Sequence, residues 1–397
     1  MKQHLRSAVF LLVFLSTAGY AQRKLPYPII LVHGWGGSDK SFYPLISEFN
    51  RQGLGVAIDP VAGGAGTGSR LDYCLNADGD LTRSYLLTDV ADQQSYVNPN
   101  YDIFVINFAT CDNTSNQSAI VKQGYALGLA IDRVLSATGA DKVILFGHSM
   151  GGLAIREYYQ NKRHWRTTSD RVAQIVTLGT PHLGSNSNSL GLVYYLNSFL
   201  EWSEAVRDLR FPEGYSLYDR GVYLYGGREF NMKRLGLYDY YNTDVNCDGD
   251  ANDVVTGLNQ MGWVGDVPFA CVVGTRYGLQ SDFIVEADRA NVNKNFVSTI
   301  ADVIYADQRD MEAGTPNGIK DTWHTQLLHQ KVLCIRALDE PDLSWKAFEV
   351  FAGKGYTGFF QTPAPGDGEV MDKDFYKIYL PQRGVFTVAA ATLSQAR

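Results

Sequence analysis

The sequence predicts an α/β protein with a mostly parallel central sheet that is covered by helices on both faces. Short apolar runs rich in β-branched residues alternate with stretches of helical periodicity from Pro28 to about Leu338. These runs have few polar interruptions, which is typical of strands that are buried on both faces. Strands that alternate with helices in this way pair in parallel, because each helix carries the chain back across the sheet.

The candidate strands and the clearest helix follow from the positions of their apolar residues. The strand candidates cover residues 29–32, 103–108, 143–146, 175–178 and 269–273. A helix is predicted after Ser118, because serine is a good helix cap. Its apolar residues recur at helical spacing, at Ile120, Val121, Leu127, Ile131, Val134 and Leu135. A helix with one apolar face of this kind packs against a sheet.

Two regions depart from the alternation of strands and helices. Residues 185–262 are rich in Tyr, Gly and Asn, and they predict an insertion into the main domain, which covers residues 22–340. After Glu340 the sequence turns to Gly, Pro and aromatic residues, with alternating apolar positions near residues 375–380. Residues 341–397 therefore predict a small β-rich module that is short for an independent sandwich.

Residues 1–21 have the pattern of a secretory signal peptide. Lys2 and Arg6 precede an apolar run over residues 8–15, and small residues lead to a cleavage site near Ala21. The apolar run is too short to cross a bilayer, and no later stretch of about 18 uninterrupted apolar residues follows. The sequence predicts a secreted or periplasmic protein without a transmembrane segment.

The chain is acidic, with a formal net charge of −7 at pH 7, and its Lys and Arg residues form no long run. Nucleic-acid binding needs a basic surface, so the composition argues against a nucleic-acid partner. The Gly-rich segment 63–68 lacks the Lys-Ser/Thr pair of a phosphate-binding loop, and we interpret it as a flexible connection.

Five cysteines in an exported chain favour one or two disulfides with one thiol left over. The pairing we expect is Cys74 with Cys111 and, as a second pair, Cys247 with Cys271. Cys334 lies in an apolar helical pattern, which indicates a small buried hydrophobic residue.

Residues 147–152, Gly-His-Ser-Met-Gly-Gly, carry the strongest chemical signal in the chain. They follow a predicted strand and precede a predicted helix, which is the context that a G-x-S-x-G motif requires. Glycines at positions 147 and 151 relieve the crowding of the sharp turn. The motif therefore predicts an exposed hydroxyl on Ser149, at the start of a helix, as a candidate nucleophile.

Acyl transfer from such a serine also needs hydrogen-bond donors for the oxyanion that develops on the substrate. The segment His33-Gly-Trp-Gly-Gly37 leaves the first predicted strand, where one donor is expected. We assign the backbone N–H groups of Trp35 and Met150 to this oxyanion hole. The glycines also fit an ordinary loop at the end of a strand. In this assignment Trp35 acts through its backbone and not through its ring.

Three segments, residues 30–36, 141–152 and 178–185, resemble the α/β-hydrolase lipases, especially bacterial secreted triacylglycerol lipases. The similarity covers roughly residues 28–338. It implies the α/β-hydrolase fold and the chain order nucleophile, acid, histidine.

The resemblance implies where the acid and the base lie. Residues 280–285 look like the acid loop of these lipases and place the carboxylate at Asp282, although Phe283 stands where the family often has glycine. Asp266 and Asp288 remain the alternatives. The segment that begins Trp323-His324-Thr-Gln-Leu-Leu is similar to the family's histidine loop. His324 is therefore the predicted base, with His329 as its alternative.

The resemblance implies ester hydrolysis by an acyl-enzyme mechanism that uses no cofactor, with a lipid as the expected substrate. A short-chain carboxylesterase, a peptidase or amidase on the same fold, and a non-catalytic binding protein remain open. Apolar residues recur at helical spacing in the insertion, at Leu190, Leu192, Val193, Leu196, Phe199 and Leu200, beside Tyr194, Tyr195 and Trp202. This stripe indicates either a lid that makes transient contact with a lipid interface or ordinary core.

Residues 244–255 have the spacing of a calcium-binding loop. Oxygen-bearing side chains alternate along it and the sixth position is glycine, as in an EF-hand. The candidate ligands are Asp244, Asn246, Asp248, Asp250 through its carbonyl, Asn252 and Asp253. The twelfth position is Val255, where such loops have glutamate, and a solvated acidic turn is the alternative. Calcium here is expected to be structural.

Overall fold

A computed structural model describes the protein over separate ranges of the chain. These are residues 27–52, 67–75, 86–87, 90–94, 96–108, 117–161, 171–185, 204–211, 221–229, 243–263, 265–275, 280–282, 284–306, 324, 327–329, 334, 337–338, 348–350 and 376–378. The predicted signal peptide and the apolar stripe at residues 190–200 lie outside these ranges, as does Cys111. No helix within the described ranges is long and apolar enough to span a membrane.

The described ranges contain twelve strands and six α-helices. The strands are β1 Ile29–Val32, β2 Arg70–Cys74, β3 Ala91–Asp92, β4 Ile103–Asn107, β5 Val143–His148, β6 Val172–Leu178, β7 Gly227–Arg228, β8 Val254–Val255, β9 Phe269–Gly274, β10 Asp302–Ala306, β11 Phe348–Val350 and β12 Tyr376–Ile378. The helices are α1 Tyr43–Gln52, α2 Ile120–Thr138, α3 Met150–Gln160, α4 Glu204–Leu209, α5 Val222–Tyr225 and α6 Ala287–Ala290, and short 3₁₀ helices cover Asp39–Phe42, Val292–Asn295 and Leu327–His329.

Eight strands form one sheet, in the order β10-β9-β6-β5-β1-β4-β2-β3. All neighbouring pairs are parallel except β2 with β3, which are antiparallel. The five apolar runs correspond to β1, β4, β5, β6 and β9, so the mostly parallel sheet is confirmed. The sequence did not indicate β2 and β10, because these strands near the sheet edges mix polar and apolar residues and are partly exposed.

Alternate residues of the strands pack into two apolar layers. In β1, Ile30 and Val32 face the layer that holds α2 and α3, whereas Ile29 and Leu31 face the layer that holds α1. All of these strand residues are fully buried. The two apolar layers thus hold the parallel strands in place between them. The loops that leave the carboxyl ends of these strands carry the candidate site.

Helix α2 begins differently from the expectation based on Ser118. Its N-cap is Ala119, without a side-chain cap. Instead, the Glu204 carboxylate accepts a hydrogen bond from the Ala119 N–H at 2.9 Å, and Asp208 accepts one from the Ile120 N–H at 2.8 Å. Carboxylates are favourable at a helix N-terminus because they satisfy free N–H groups. Helix α4, within the predicted insertion, is thus tied to the main domain.

The described parts of the insertion pack on the N-terminal ends of α2 and α3. Ala205, Val222 and Leu224 share an apolar cluster with Ile120 and Met150. Strands β7 and β8 pair with each other as a separate antiparallel ribbon. At the C-terminal end, β11 and β12 pair in parallel apart from the main sheet. The extent of the insertion and of the C-terminal module stays a prediction.

The pairing of Cys247 with Cys271 is wrong, because both are buried free thiols in different environments. The Cys271 thiol lies in the central sheet, 3.1 Å from the carbonyl oxygen of Ala290, while the Cys247 thiol lies 3.8 Å from that of Asp244. Cys334 is also a buried free thiol, as expected. The pairing of Cys74 with Cys111 stays a prediction.

Candidate active site

Ser149 is the single residue between β5 and α3, and its backbone is strained. Its φ of 55° and ψ of −131° lie in a region that non-glycine residues rarely occupy. The Ser149 N–H donates to the Leu178 carbonyl oxygen at 2.8 Å, which holds the turn against β6. A side chain at Gly151 would collide with the Val32 carbonyl oxygen. Strand β5 thus turns directly into α3 and leaves Ser149 partly exposed.

The loop after β1 packs directly against Ser149. A β-carbon at Gly34 would stand 2.6 Å from the Ser149 β-carbon and 3.0 Å from its Oγ, so only glycine fits there. The loop is braced by His33, which donates through Nδ1 to the Gly34 carbonyl oxygen at 3.0 Å and accepts the Phe108 N–H through Nε2 at 3.1 Å. Burial lowers the pKa of His33 to about 4. A ring that donates through Nδ1 and accepts through Nε2 carries only one proton, so it must be neutral.

Asp282 and His324 are joined by a short hydrogen bond. His324 Nδ1 lies 2.7 Å from Asp282 Oδ2, and both side chains are buried. The other oxygen, Oδ1, accepts the N–H groups of Ile284 at 3.0 Å and Val285 at 2.7 Å. The loop therefore fixes the carboxylate so that one oxygen points at the imidazole. A carboxylate in this place selects the tautomer that carries its proton on Nδ1.

The end of β6 lies between His324 and the Ser149 turn and contacts both. The Leu178 carbonyl binds the Ser149 N–H, and the next residue, Gly179, lies so close to His324 that a β-carbon there would be 3.0 Å from its ring. His148 donates from Nε2 to the His324 carbonyl oxygen at 3.0 Å. Within the part of the chain that the structure describes, the buried Nε2 of His324 has no hydrogen-bond partner. Nε2 therefore makes no hydrogen bond with Ser149 Oγ among the described residues, and no other group there occupies it, so it can accept a proton.

The alternative acids do not share this arrangement. Asp288 is 82% exposed and lies 3.4 Å from Lys294. Asp266 is exposed. Among the three candidates, the hydrogen bond to His324 belongs to Asp282. The side chain of His329, the alternative base, lies outside the described part of the chain.

The two predicted oxyanion donors lie on either side of Ser149. Met150 is the first residue of α3, so its N–H is unused by the helix, and Trp35 lies in the loop after β1. Over the described ranges, neither N–H group donates to a carbonyl or side-chain oxygen. Both are therefore available to a ligand, and the assignment stays a prediction.

Sequence reasoning missed Gln117, which contacts the Trp35 ring. The indole N–H of Trp35 donates to Gln117 Oε1 at 2.7 Å. The Gln117 carbonyl oxygen accepts the N–H of Ala205, in α4, at 3.1 Å. The Trp35 ring thus ties its own loop to Gln117, and the role of the Trp35 backbone N–H in the oxyanion hole stays a prediction. No local pattern signals this contact, because Trp35 and Gln117 are 82 residues apart in the chain.

The acidic turn leads into β8, and its Val245 belongs to the same apolar cluster as Met150. Asp244 is buried, and its two oxygens accept the N–H groups of Asp248 at 3.1 Å and Gly249 at 2.8 Å. Over the described residues, no three Asp, Glu, His or Cys side chains converge as a ready metal site. The calcium ligands named above stay a prediction.

Comparison with known proteins gives a family match over the N-terminal half. Residues 27–215 match the family model described as alpha/beta hydrolase fold. Over 159 residues, or 40% of this chain, the sequence is 29% identical to triacylglycerol lipases from Pseudarthrobacter phenanthrenivorans and Burkholderia plantarii. The matched segment spans about a third of each relative, 34% and 30% of their lengths.

Solved structures of lipases and esterases are similar at low sequence identity. The mature lipase BlEst2 from Bacillus licheniformis is 14% identical, with a TM-score of 0.38, and the match covers 78% of this chain and 89% of that one. Lipase B from Aspergillus fumigatus is also 14% identical, with a TM-score of 0.36, and the match covers 82% and 54%.

Proposed function

We propose, from the α/β-hydrolase fold of this chain, that it is a serine hydrolase that cleaves carboxylic esters. The observation that carries the proposal is the hydrogen bond between Asp282 and His324 beside the strained Ser149 turn. The lipase relatives support an ester substrate. A binding protein that had kept only the fold would have no need for a buried acid and imidazole at this place.

In the proposed mechanism, His324 Nε2 takes the Ser149 proton while Oγ attacks the ester carbonyl carbon. The backbone N–H groups of Trp35 and Met150 stabilise the tetrahedral oxyanion, and Asp282 stabilises the imidazolium. The imidazolium then gives its proton to the departing alcohol. In the second step, His324 takes a proton from the water that attacks the acyl carbon, and it returns this proton to Ser149 Oγ as the carboxylic acid leaves.

The substrate we propose is a lipid, an acylglycerol-type ester, which an exported enzyme meets outside the cytoplasm. Removal of residues 1–21 and export to the periplasm or the medium belong to this proposal, as does transient contact with a lipid interface. Short-chain carboxylesterase activity is the second candidate, because no described residue defines the length of an acyl pocket. A triad of this kind also serves amide hydrolysis.

A panel of nitrophenyl esters of rising chain length, with peptide substrates beside it, tests the proposal. We expect kcat/KM to increase up to acyl chains of about eight carbons or more, because each buried methylene adds binding energy in an apolar pocket. A maximum at acetyl or butyryl esters would indicate a carboxylesterase. Cleavage of peptides alone would contradict ester hydrolysis, and no turnover of either class would favour a binding protein.

The contact between Trp35 and Gln117 leads to a prediction about the oxyanion loop. Trp35→Phe removes the indole N–H, and Gln117→Ala removes its acceptor. Each change should lower kcat about three- to tenfold and leave KM nearly unchanged, because one neutral hydrogen bond contributes about 0.5–1.5 kcal/mol. The double variant should be no slower than the worse single variant, since both remove the same bond. If the reductions in kcat of the two single variants multiplied in the double variant, the two residues would act separately.

A further inference from the structure

The acidic turn at residues 244–253 has a neighbour that its own sequence does not reveal. Strand β7 pairs with β8, and the Glu229 N–H donates to the Asp253 carbonyl oxygen at 3.2 Å. The ribbon therefore places Glu229 opposite Asp253. One oxygen of Glu229, Oε1, accepts the N–H groups of Val245 at 2.6 Å and Asn246 at 3.3 Å, the second and third residues of the turn.

The Glu229 carboxylate is fully buried and only half satisfied. Its exposed fraction is 0%, and Oε2 has no hydrogen-bond partner in the described part of the chain. Oδ1 of Asp253 is likewise buried and without a hydrogen-bond partner among the described residues. A buried carboxylate oxygen without a donor or a cation is costly. Two such oxygens, on residues that flank β7 and β8 beside one turn, indicate a place for a positive group.

Two arginines lie beside the turn in the described part of the chain, and neither donates to Glu229 Oε2 or Asp253 Oδ1. Arg228 donates to the Asn252 carbonyl oxygen at 2.9 Å, and Arg207 donates to the Asp244 carbonyl oxygen at 3.2 Å. Both guanidinium groups thus bind backbone oxygens of the turn. The ligand that satisfies several carboxylates and carbonyls together is a hard divalent cation that takes six to eight oxygens.

We propose that this turn binds Ca²⁺ and that Glu229 supplies the acidic ligand which position twelve, Val255, lacks. The remaining ligands are Asp244, Asn246, Asp248 and the Asp250 carbonyl oxygen, at the first, third, fifth and seventh positions of the loop. Asp253 completes the set.

Ion entry requires one local rearrangement. The Asn246 amide nitrogen donates to Asp248 at 2.9 Å and to Asp253 at 3.2 Å. An amide that serves two carboxylates occupies the place of a cation, which explains why the carboxylates do not yet converge. Ca²⁺ displaces the Asn246 N–H₂ group and draws Asp248 and Asp253 towards Glu229.

A proton shared by Glu229 and Asp253 is the competing occupant. Burial, followed by the interaction with the Asp253 carboxyl group, raises the pKa of Glu229 to about 8. A shared proton satisfies both orphan oxygens without a metal. Added Ca²⁺ near neutral pH distinguishes the two occupants. A cation site binds the added ion, whereas a site that holds a shared proton does not respond to it.

Calorimetric titration of the chelator-treated full chain with Ca²⁺, together with Tm measurements, tests the site. We expect one ion to bind with a Kd of about millimolar or tighter and to raise Tm. Glu229→Gln keeps the size of the side chain and should weaken binding about tenfold or more. Asp141→Asn is the control, because Asp141 is exposed and lies outside the turn, and it should bind Ca²⁺ like the parent.

Two results would overturn the proposal. One is the absence of heat and of a Tm change at millimolar Ca²⁺ in the parent chain, and the other is unchanged affinity in Glu229→Gln. If Glu229→Gln does not fold, Asp248→Ala decides, because Asp248 is exposed and alanine leaves no ligand oxygen at this position. It should keep the calcium-free Tm and lose the increase in Tm with Ca²⁺. These outcomes do not depend on ester hydrolysis, so either proposal can fail alone.

Discussion

Replacement of Ser149 by alanine should lower kcat for ester hydrolysis by about 10⁵- to 10⁶-fold. The acyl enzyme cannot form without the Oγ nucleophile, and only transition-state stabilisation by the oxyanion donors and substrate binding remain. The backbone of the turn should be unaffected, since alanine meets the same strain at a φ of 55° as serine does. Single-turnover and steady-state kinetics with one activated ester measure the loss.

A serine elsewhere provides the control for this variant. Ser298 is exposed, so Ser298→Ala should leave kcat, KM and Tm unchanged. An unchanged Tm for Ser149→Ala, together with unchanged substrate affinity, would assign its loss to chemistry and not to unfolding. If Ser149→Ala retained activity within about tenfold of the parent, the nucleophile would lie elsewhere.

Asp282→Asn should lower kcat by about 10⁴-fold. The asparagine oxygen can still accept the Ile284 and Val285 N–H groups, which leaves its N–H₂ group facing His324 Nδ1. The imidazole must then accept at Nδ1 and carry its proton on Nε2, so it cannot take the proton of Ser149. The measurement is kcat across neutral pH, with the parent enzyme under the same conditions.

Asp288→Asn is the matched control for Asp282→Asn, because Asp288 is largely exposed and lies in α6, the helix that follows the acid loop. It should retain full activity. Near-parental turnover in Asp282→Asn, combined with a large loss in Asp266→Asn or Asp288→Asn, would move the acid to one of these alternatives. The amide change is nearly isosteric, so a fall in Tm is not expected to explain a 10⁴-fold loss.

The fold was largely predictable from the apolar runs, and the reason is physical. Strands buried on both faces need continuous apolar sequence, as β1, β5 and β9 have. Strands β2 and β10 near the sheet edges are partly exposed and tolerate polar residues. Their mixed sequences therefore did not indicate strands. The cap of α2 was also beyond local prediction, since its carboxylates come from Glu204 and Asp208, more than 80 residues away.

The candidate site also has a part that the sequence predicts and a part that only the tertiary structure shows. The Ser149 turn was predictable because its strand, motif and helix follow one another in the chain, although Val32 and Gly34 contribute to its crowding. The choice of Asp282 over Asp266 and Asp288 was open in the residues themselves. Only the folded chain places one of these carboxylates 2.7 Å from His324 Nδ1.

By itself, the sequence determined the parallel sheet, the turn that presents Ser149 and the spacing of the acidic loop. Each of these depends on residues that are close in the chain. The tertiary structure decided what distant segments bring together: the partner of His324, the contact of Gln117 with Trp35, the separation of Cys247 from Cys271, and the position of Glu229 beside the loop. These contacts arise from strand register and helix packing, which no local pattern of residue types encodes.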